Sequence, residues 1–149
     1  MKRLLSLALC AILLCCVITT TAFAENESLT SDVSTFPIQA RYTEFSMVYA
    51  GLVQTSNGFY HVEGGAATHD SDLLINVTVT IEGCHADGVY RPVQDFQWSS
   101  SGYYSTGTQA TRDLSGGAYR AHTVAKCYRN GMLLETVEAY SNIVNVPYN

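Results

Sequence analysis

From Leu73 to Glu82 the chain alternates without interruption: Leu73, Ile75, Val77, Val79 and Ile81 on one side, Leu74, Asn76, Thr78, Thr80 and Glu82 on the other. Period-two patterning of this length predicts a strand with one face in a core and the other toward water. Asp87-Gly88 follows, a pair that accepts the positive φ of a tight hairpin turn. The next predicted strand is Val89–Trp98, whose even positions Tyr90, Pro92, Phe96 and Trp98 are bulky apart from Gln94. Proline cannot donate to a ladder, so this strand is expected at a sheet edge or bulged at Pro92.

Asn130-Gly131 marks a second sharp hairpin, joining Gly117–Tyr128 to Met132–Val146. In the first of these strands Tyr119, Ala121, Thr123, Ala125 and Cys127 share a face, with Arg120, His122, Lys126 and Tyr128 opposite. The second starts with Leu133, Val137 and Ala139 in phase and drifts near Ser141, where a bulge is expected. Upstream, Glu44–Gln54 and Gly58–Thr68 form a pair around Asn57-Gly58, and Tyr103–Asp113 reads as a polar strand. No stretch after the first residues has sustained apolar spacing at three and four. Seven short strands about a dozen residues apart predict an all-β, antiparallel two-sheet sandwich.

The first two dozen residues follow a different logic. Lys2 and Arg3 precede an apolar stretch from Leu4 to Ile18, and Ala22-Phe23-Ala24 stands before Glu25. A charged start, an apolar centre and an A-x-A site form a secretory signal over residues 1–24. The apolar run is short of the roughly 20 residues that span a bilayer, so no transmembrane segment is expected in the mature protein. Residues 25–36 are polar and rich in Ser and Thr and read as a flexible lead-in closed by Pro37. A single domain over 37–149 remains. Export implies a secreted, extracellular protein.

Cys10, Cys15 and Cys16 lie in the signal, and none follows the small residue of a lipobox. Cys84 and Cys127 remain, and in an exported chain two thiols are expected to form one disulfide. Closing a loop of roughly 43 residues is worth up to about 4 kcal/mol in the chain-entropy estimate. The alternative is a metal pair, but neither cysteine belongs to a Cys-x2–4-Cys motif.

The segment Leu114-Ser115-Gly116-Gly117-Ala118-Tyr119-Arg120-Ala121, followed by Val124-Ala125, Asn130-Gly131 and Ser141, resembles the end of a fibronectin type III or immunoglobulin-like domain. In such domains a leucine and a turn precede a tyrosine that opens the sixth strand and bonds back across the corner. The resemblance implies an immunoglobulin-like sandwich of about seven strands with Tyr119 as the corner residue. It covers roughly 35 residues, and the cysteine and tryptophan positions differ from those families. The whole chain also resembles short exported proteins of Gram-positive bacteria, which implies a compartment and a fold and no activity.

Charge and candidate chemistry narrow the function. Eight Lys and Arg face 13 Asp and Glu, a net charge of −5 that becomes more negative once Lys2 and Arg3 leave. Such a chain does not wrap nucleic acid. Thr68-His69-Asp70-Ser71-Asp72 could offer oxygen ligands to a cation, but it lacks the further carboxylates and glycine of a calcium loop and reads as a polar turn. No serine lies in G-x-S-x-G, and His61, His85 and His122 stand apart in sequence and read as surface residues. No cofactor and no catalytic residue is expected. Ten tyrosines are more than one small core requires. Trp98, Tyr103 and Tyr104, around Ser99-Ser100-Ser101-Gly102, combine aromatics with small residues as recognition loops do. The other reading of the tyrosines is that they fill a sheet, where their β propensity suits them and their hydroxyls stay wet. The expectation is a secreted non-catalytic domain for binding or surface interaction, with a protein or a carbohydrate as the ligand classes and Trp98, Tyr103 and Tyr104 as the candidate surface. The alternative is a secreted hydrolase.

Overall fold

The computed structural model describes residues 42–148. The expected signal, the lead-in and Pro37 lie outside the described residues. Among the described residues eight strands form two antiparallel sheets. β1 (Phe45–Gln54), β2 (Tyr60–Thr68) and β5 (Ser105–Arg112) make a three-stranded sheet in the order β1-β2-β5. β4 (Tyr90–Tyr103), β3 (Leu74–Cys84), β6 (Gly117–Arg129) and β7 (Met132–Tyr140) make the other in the order β4-β3-β6-β7, with β8 (Val144–Val146) also on β6. No helix of the described residues is long and apolar enough to cross a membrane.

The predicted alternation is the core. Ile75, Val77, Val79 and Ile81 are buried, register opposite Cys127, Ala125, Thr123 and Ala121 on β6, and face Leu52, Val62 and Ala66 of the other sheet. Both hairpin signals form. Asn130 and Gly131 both take positive φ, at 51° and 81°, and join β6 to β7 directly, as the twist of a two-residue hairpin requires. In the β3–β4 turn the positive φ falls on Gly88 alone, and His85 closes the loop onto Val89 and Gly88.

Pro92 lies on an edge strand, and a bulge follows it: Thr80 pairs with Gln97 while Glu82 pairs with Pro92. The extra residues of β4 divide the bulky even positions between two faces. Trp98 opposes core-facing Val79 and Phe96 packs beside it, whereas Tyr90 and Pro92 oppose outward Cys84 and Glu82. The polar strand predicted from Tyr103 starts instead at Ser105. Tyr104, at φ 65°, is the pivot by which the chain leaves one sheet for the other.

The expected bulge at Ser141 is a strand break, which raises the strand number to eight. Ser141 replaces the ladder with its own groups: its N–H donates to the Ala121 carbonyl, and its Oγ accepts from Ala121 N–H at 2.8 Å. The chain then rejoins β6 at Gly117–Tyr119. The Tyr119 ring packs at the edge of the core and its hydroxyl donates to the Ser115 carbonyl at 2.9 Å, which is the corner bond expected from the sequence.

The expected Cys84–Cys127 disulfide is overturned. Cys127 pairs in register with Ile75, at the opposite end of β3 from Cys84. Nine residues of strand separate those ends by roughly 30 Å, whereas a disulfide needs Cα atoms within about 7 Å. Both thiols are free, Cys84 exposed and Cys127 buried. Proximity to hairpin turns suited both cysteines to sequence reading, but the two turns are at opposite ends of the sheet.

Candidate functional site

Register and alternation place two sets of side chains on outer faces of the sandwich. On the five-stranded sheet, Glu82 of β3 stands directly across from Arg120 of β6, and His122 across from Tyr140 of β7. Arg120 Nε donates to Glu82 Oε2 at 2.7 Å, and His122 Nδ1 is 2.9 Å from Glu82 Oε1. His122 Nε2 lies 3.3 Å from Glu138 Oε2, which also accepts from the Tyr140 hydroxyl at 3.0 Å. The Arg120 guanidinium is held between the rings of Tyr90 and Tyr140, 4.4 and 4.3 Å from their centroids, and His122 stacks on Tyr140. Burial raises the phenols of Tyr90 and Tyr140, with the Glu138 hydrogen bond adding to the second.

The sequence pattern does not announce this network. It places His122 on a strand surface, apart in sequence from the other histidines, whereas the fold sets it between two carboxylates. The available signal was that Glu82, Arg120 and His122 all fall on polar faces of predicted strands. Which of them meet depends on register, which the alternation alone leaves open. Glu82 is 6% exposed. A carboxylate this buried must be paired, and Arg120 and His122 pair it. One ring nitrogen, His122 Nε2, is buried near Glu138 without a hydrogen-bond partner.

The outer face of the three-stranded sheet is built differently. The registers align Tyr49–Gly65–Gly107 in one row across β1, β2 and β5, and Gly51–Glu63–Gln109 in the next. Gly65 has no Cβ, and Tyr49 lies over it: a Cβ built there would fall 2.6 Å from Tyr49 Cε1. The hydroxyl reaches toward Gly107, and Glu63 lies over Gly51 in the same way. Tyr49, Glu63, Gly107, Thr108 and Gln109 line a shallow depression of about 380 Å³. Burial, and then the nearby Glu63 carboxylate, raise the Tyr49 phenol, so it remains a hydroxyl donor. Among the described residues neither Glu63 nor Gln109 makes a side-chain hydrogen bond, and the approach of His61 Nε2 to Glu63 is 3.6 Å, too long for one.

The aromatic set expected from the sequence is divided. Tyr103 and Tyr104 are exposed at the β4–β5 corner. Trp98 is partly buried on the core side of β4, beneath the Arg112 guanidinium at 4.8 Å, so it contributes packing there. The Thr68–Asp72 segment is a closed turn: Thr68 Oγ1 donates to the Asp70 carbonyl, Asp72 N–H to Asp70 Oδ1, and Arg129 to Asp70 Oδ2. His69 is exposed and its N–H donates to the Glu44 carbonyl. His85 belongs to the β3–β4 turn. Among the described residues no group of three or more His, Cys, Asp or Glu is placed to hold a metal.

Compared with known proteins, the chain matches no family model, no curated protein and no solved structure.

Proposed function

We propose that the protein is a secreted, non-catalytic binding domain of the fibronectin type III or immunoglobulin-like kind. The family reading is supported by the strand order and by the Tyr119 corner bond. In the immunoglobulin constant arrangement the fourth strand stays with the first, second and fifth, whereas here it joins the third, sixth and seventh. Export is supported by the pattern of residues 1–24.

The observation that carries the binding reading is the depression on the three-stranded sheet, where a tyrosine ring, a carboxylate and an amide converge without spending their hydrogen bonds on one another. A rigid sheet that presents unspent polar groups beside an aromatic ring suits recognition. His122 Nδ1 is hydrogen-bonded to Glu82, its ring is stacked on Tyr140, and its Nε2 is buried without a hydrogen-bond partner; a histidine enclosed in this way supports the non-catalytic reading.

The test begins with secretion from an export-competent Gram-positive host, where mass spectrometry is expected to find Glu25 as the first residue. Saturable retention of that protein on bacterial cell surfaces, with no turnover of ester, glycoside or peptide substrates, is the expected result. Saturable turnover by the purified protein would overturn the reading.

A further inference from the structure

We infer that the depression beside Tyr49 is a site for a neutral carbohydrate, one pyranose unit of a longer glycan; this deepens the binding reading above and rests on it. The argument starts from the sheet. In the row Tyr49–Gly65–Gly107 two positions lack side chains, so the phenol ring can cross from β1 over β2 toward β5 and lie along the sheet. The Cε1, Cζ and hydroxyl edge of the ring lies against Gly65, and Tyr49 stays partly exposed where it lines the depression. An aromatic face is electron-rich, and it attracts the weakly positive C–H bonds on the flat side of a pyranose.

The next row along the strands supplies the polar contacts. Glu63 and Gln109 oppose each other across β2 and β5, two residues from Gly65 and Gly107. Two residues of strand advance the row by about 7 Å, within reach of the hydroxyl groups of a sugar lying on Tyr49. Glu63 only accepts, Gln109 both donates and accepts, and the Tyr49 phenol remains protonated. Vicinal hydroxyl groups, each donor and acceptor, match that set. A hydroxyl donated to the carboxylate makes a charge-assisted bond, stronger than a neutral one.

Size and charge limit the class further. About 380 Å³ lies at the small end of ligand sites. The depression is shallow and mostly polar in its lining, so it suits one unit of a polymer that continues beyond it rather than an enclosed apolar molecule. Glu63 and the net charge of −5 disfavour anionic polymers.

The experiment measures retention of the full secreted chain on insoluble cellulose and chitin, and its affinity for soluble xylan and β-1,3-glucan, with polygalacturonate as the anionic control. Gln109→Ala changes an exposed rim residue and spares the core; Tyr49→Ala removes the ring; Met132→Ser alters an exposed residue of the other sheet. Circular dichroism checks that each variant folds. The expected result is binding to at least one neutral glycan, weakened at least ten-fold by Tyr49→Ala and several-fold by Gln109→Ala, and unchanged by Met132→Ser. Binding to none of the neutral polymers, binding equally strong after both site substitutions, or preference for polygalacturonate would each overturn the site. Any of these leaves intact the broader reading of a non-catalytic binding domain. Release of reducing ends from a bound polymer would instead overturn that broader reading.

Discussion

On the outer face of the five-stranded sheet, Glu82, Arg120, His122, Glu138, Tyr90 and Tyr140 meet one another, and Arg120 and His122 share the Glu82 carboxylate. On the outer face of the three-stranded sheet, glycines hold the positions that would have supplied partners, and Glu63 and Gln109 keep their hydrogen-bonding capacity. Both faces come from the same alternation of strand residues. They differ in what stands opposite. A long charged residue across from its complement produces a closed network that fixes register. A bare Cα across from an aromatic produces an open ledge. A polar face is therefore informative about binding only when the partners of its polar groups are known.

The largest effect that would test this comparison comes from Glu82. Replacing it by alanine leaves Arg120 and His122 without their shared carboxylate, and loss of one partner of a buried pair is expected to cost about 3 kcal/mol or more. Urea unfolding measures it. A change within about 0.5 kcal/mol would show that the closed network contributes no more than an exposed pair.

Tyr119→Phe is expected next, at about 0.5–1.5 kcal/mol, because the ring still packs while the exposed Ser115 carbonyl exchanges its donor for water. This bond belongs to the corner rather than to either outer face, so it calibrates the scale on which the faces are compared. An unchanged midpoint would show that the corner bond does not hold the fold.

Alkaline pH separates the faces by titration. Cys127, Tyr49, Tyr90 and Tyr140 all have acid groups raised above their ordinary values of 9.0 for the thiol and 10.0 for the phenols, burial being the leading cause. Above those values the unfolded chain gives up protons that the folded chain retains. Their contribution is complete below the ordinary thiol value and is lost as pH rises through the folded-state range. Stability is expected to be insensitive to these groups near neutrality and to fall at alkaline pH. Tyr140→Phe should remove part of that slope from the closed face, and Tyr49→Phe part from the open one. Identical slopes in wild type and both variants would refute the assignment.

The smallest expected effects are the sharpest contrast. Glu63→Ala, made on the open face, should change stability by no more than about 0.5 kcal/mol, against the loss at Glu82. Thiol labelling checks the register on which both faces depend. Cys84 should react in the native protein and Cys127 only after unfolding; a pair of unreactive, oxidised cysteines would contradict the pairing of Ile75 with Cys127.

The alternation of Leu73–Glu82, the turn residues Asn130-Gly131 and the Leu114–Tyr119 corner were legible in the sequence because each acts locally. Side-chain direction in a strand follows parity, and a two-residue hairpin demands positive φ from its own residues. From the alternation and the turns come the all-β class and the buried face of β3; the corner role of Tyr119 comes from the resemblance of its segment to a known corner. What only the tertiary structure decided is which strand lies beside which, and in what register. Register set Glu82 across from Arg120, carried Cys84 and Cys127 to opposite ends of one pair of strands, and laid Tyr49 over Gly65. The bulge after Pro92 turned Trp98 inward, away from the exposed Tyr103 and Tyr104. These facts depend on residues far apart in the chain, and a shift of one position in any strand would reverse which face each side chain occupies.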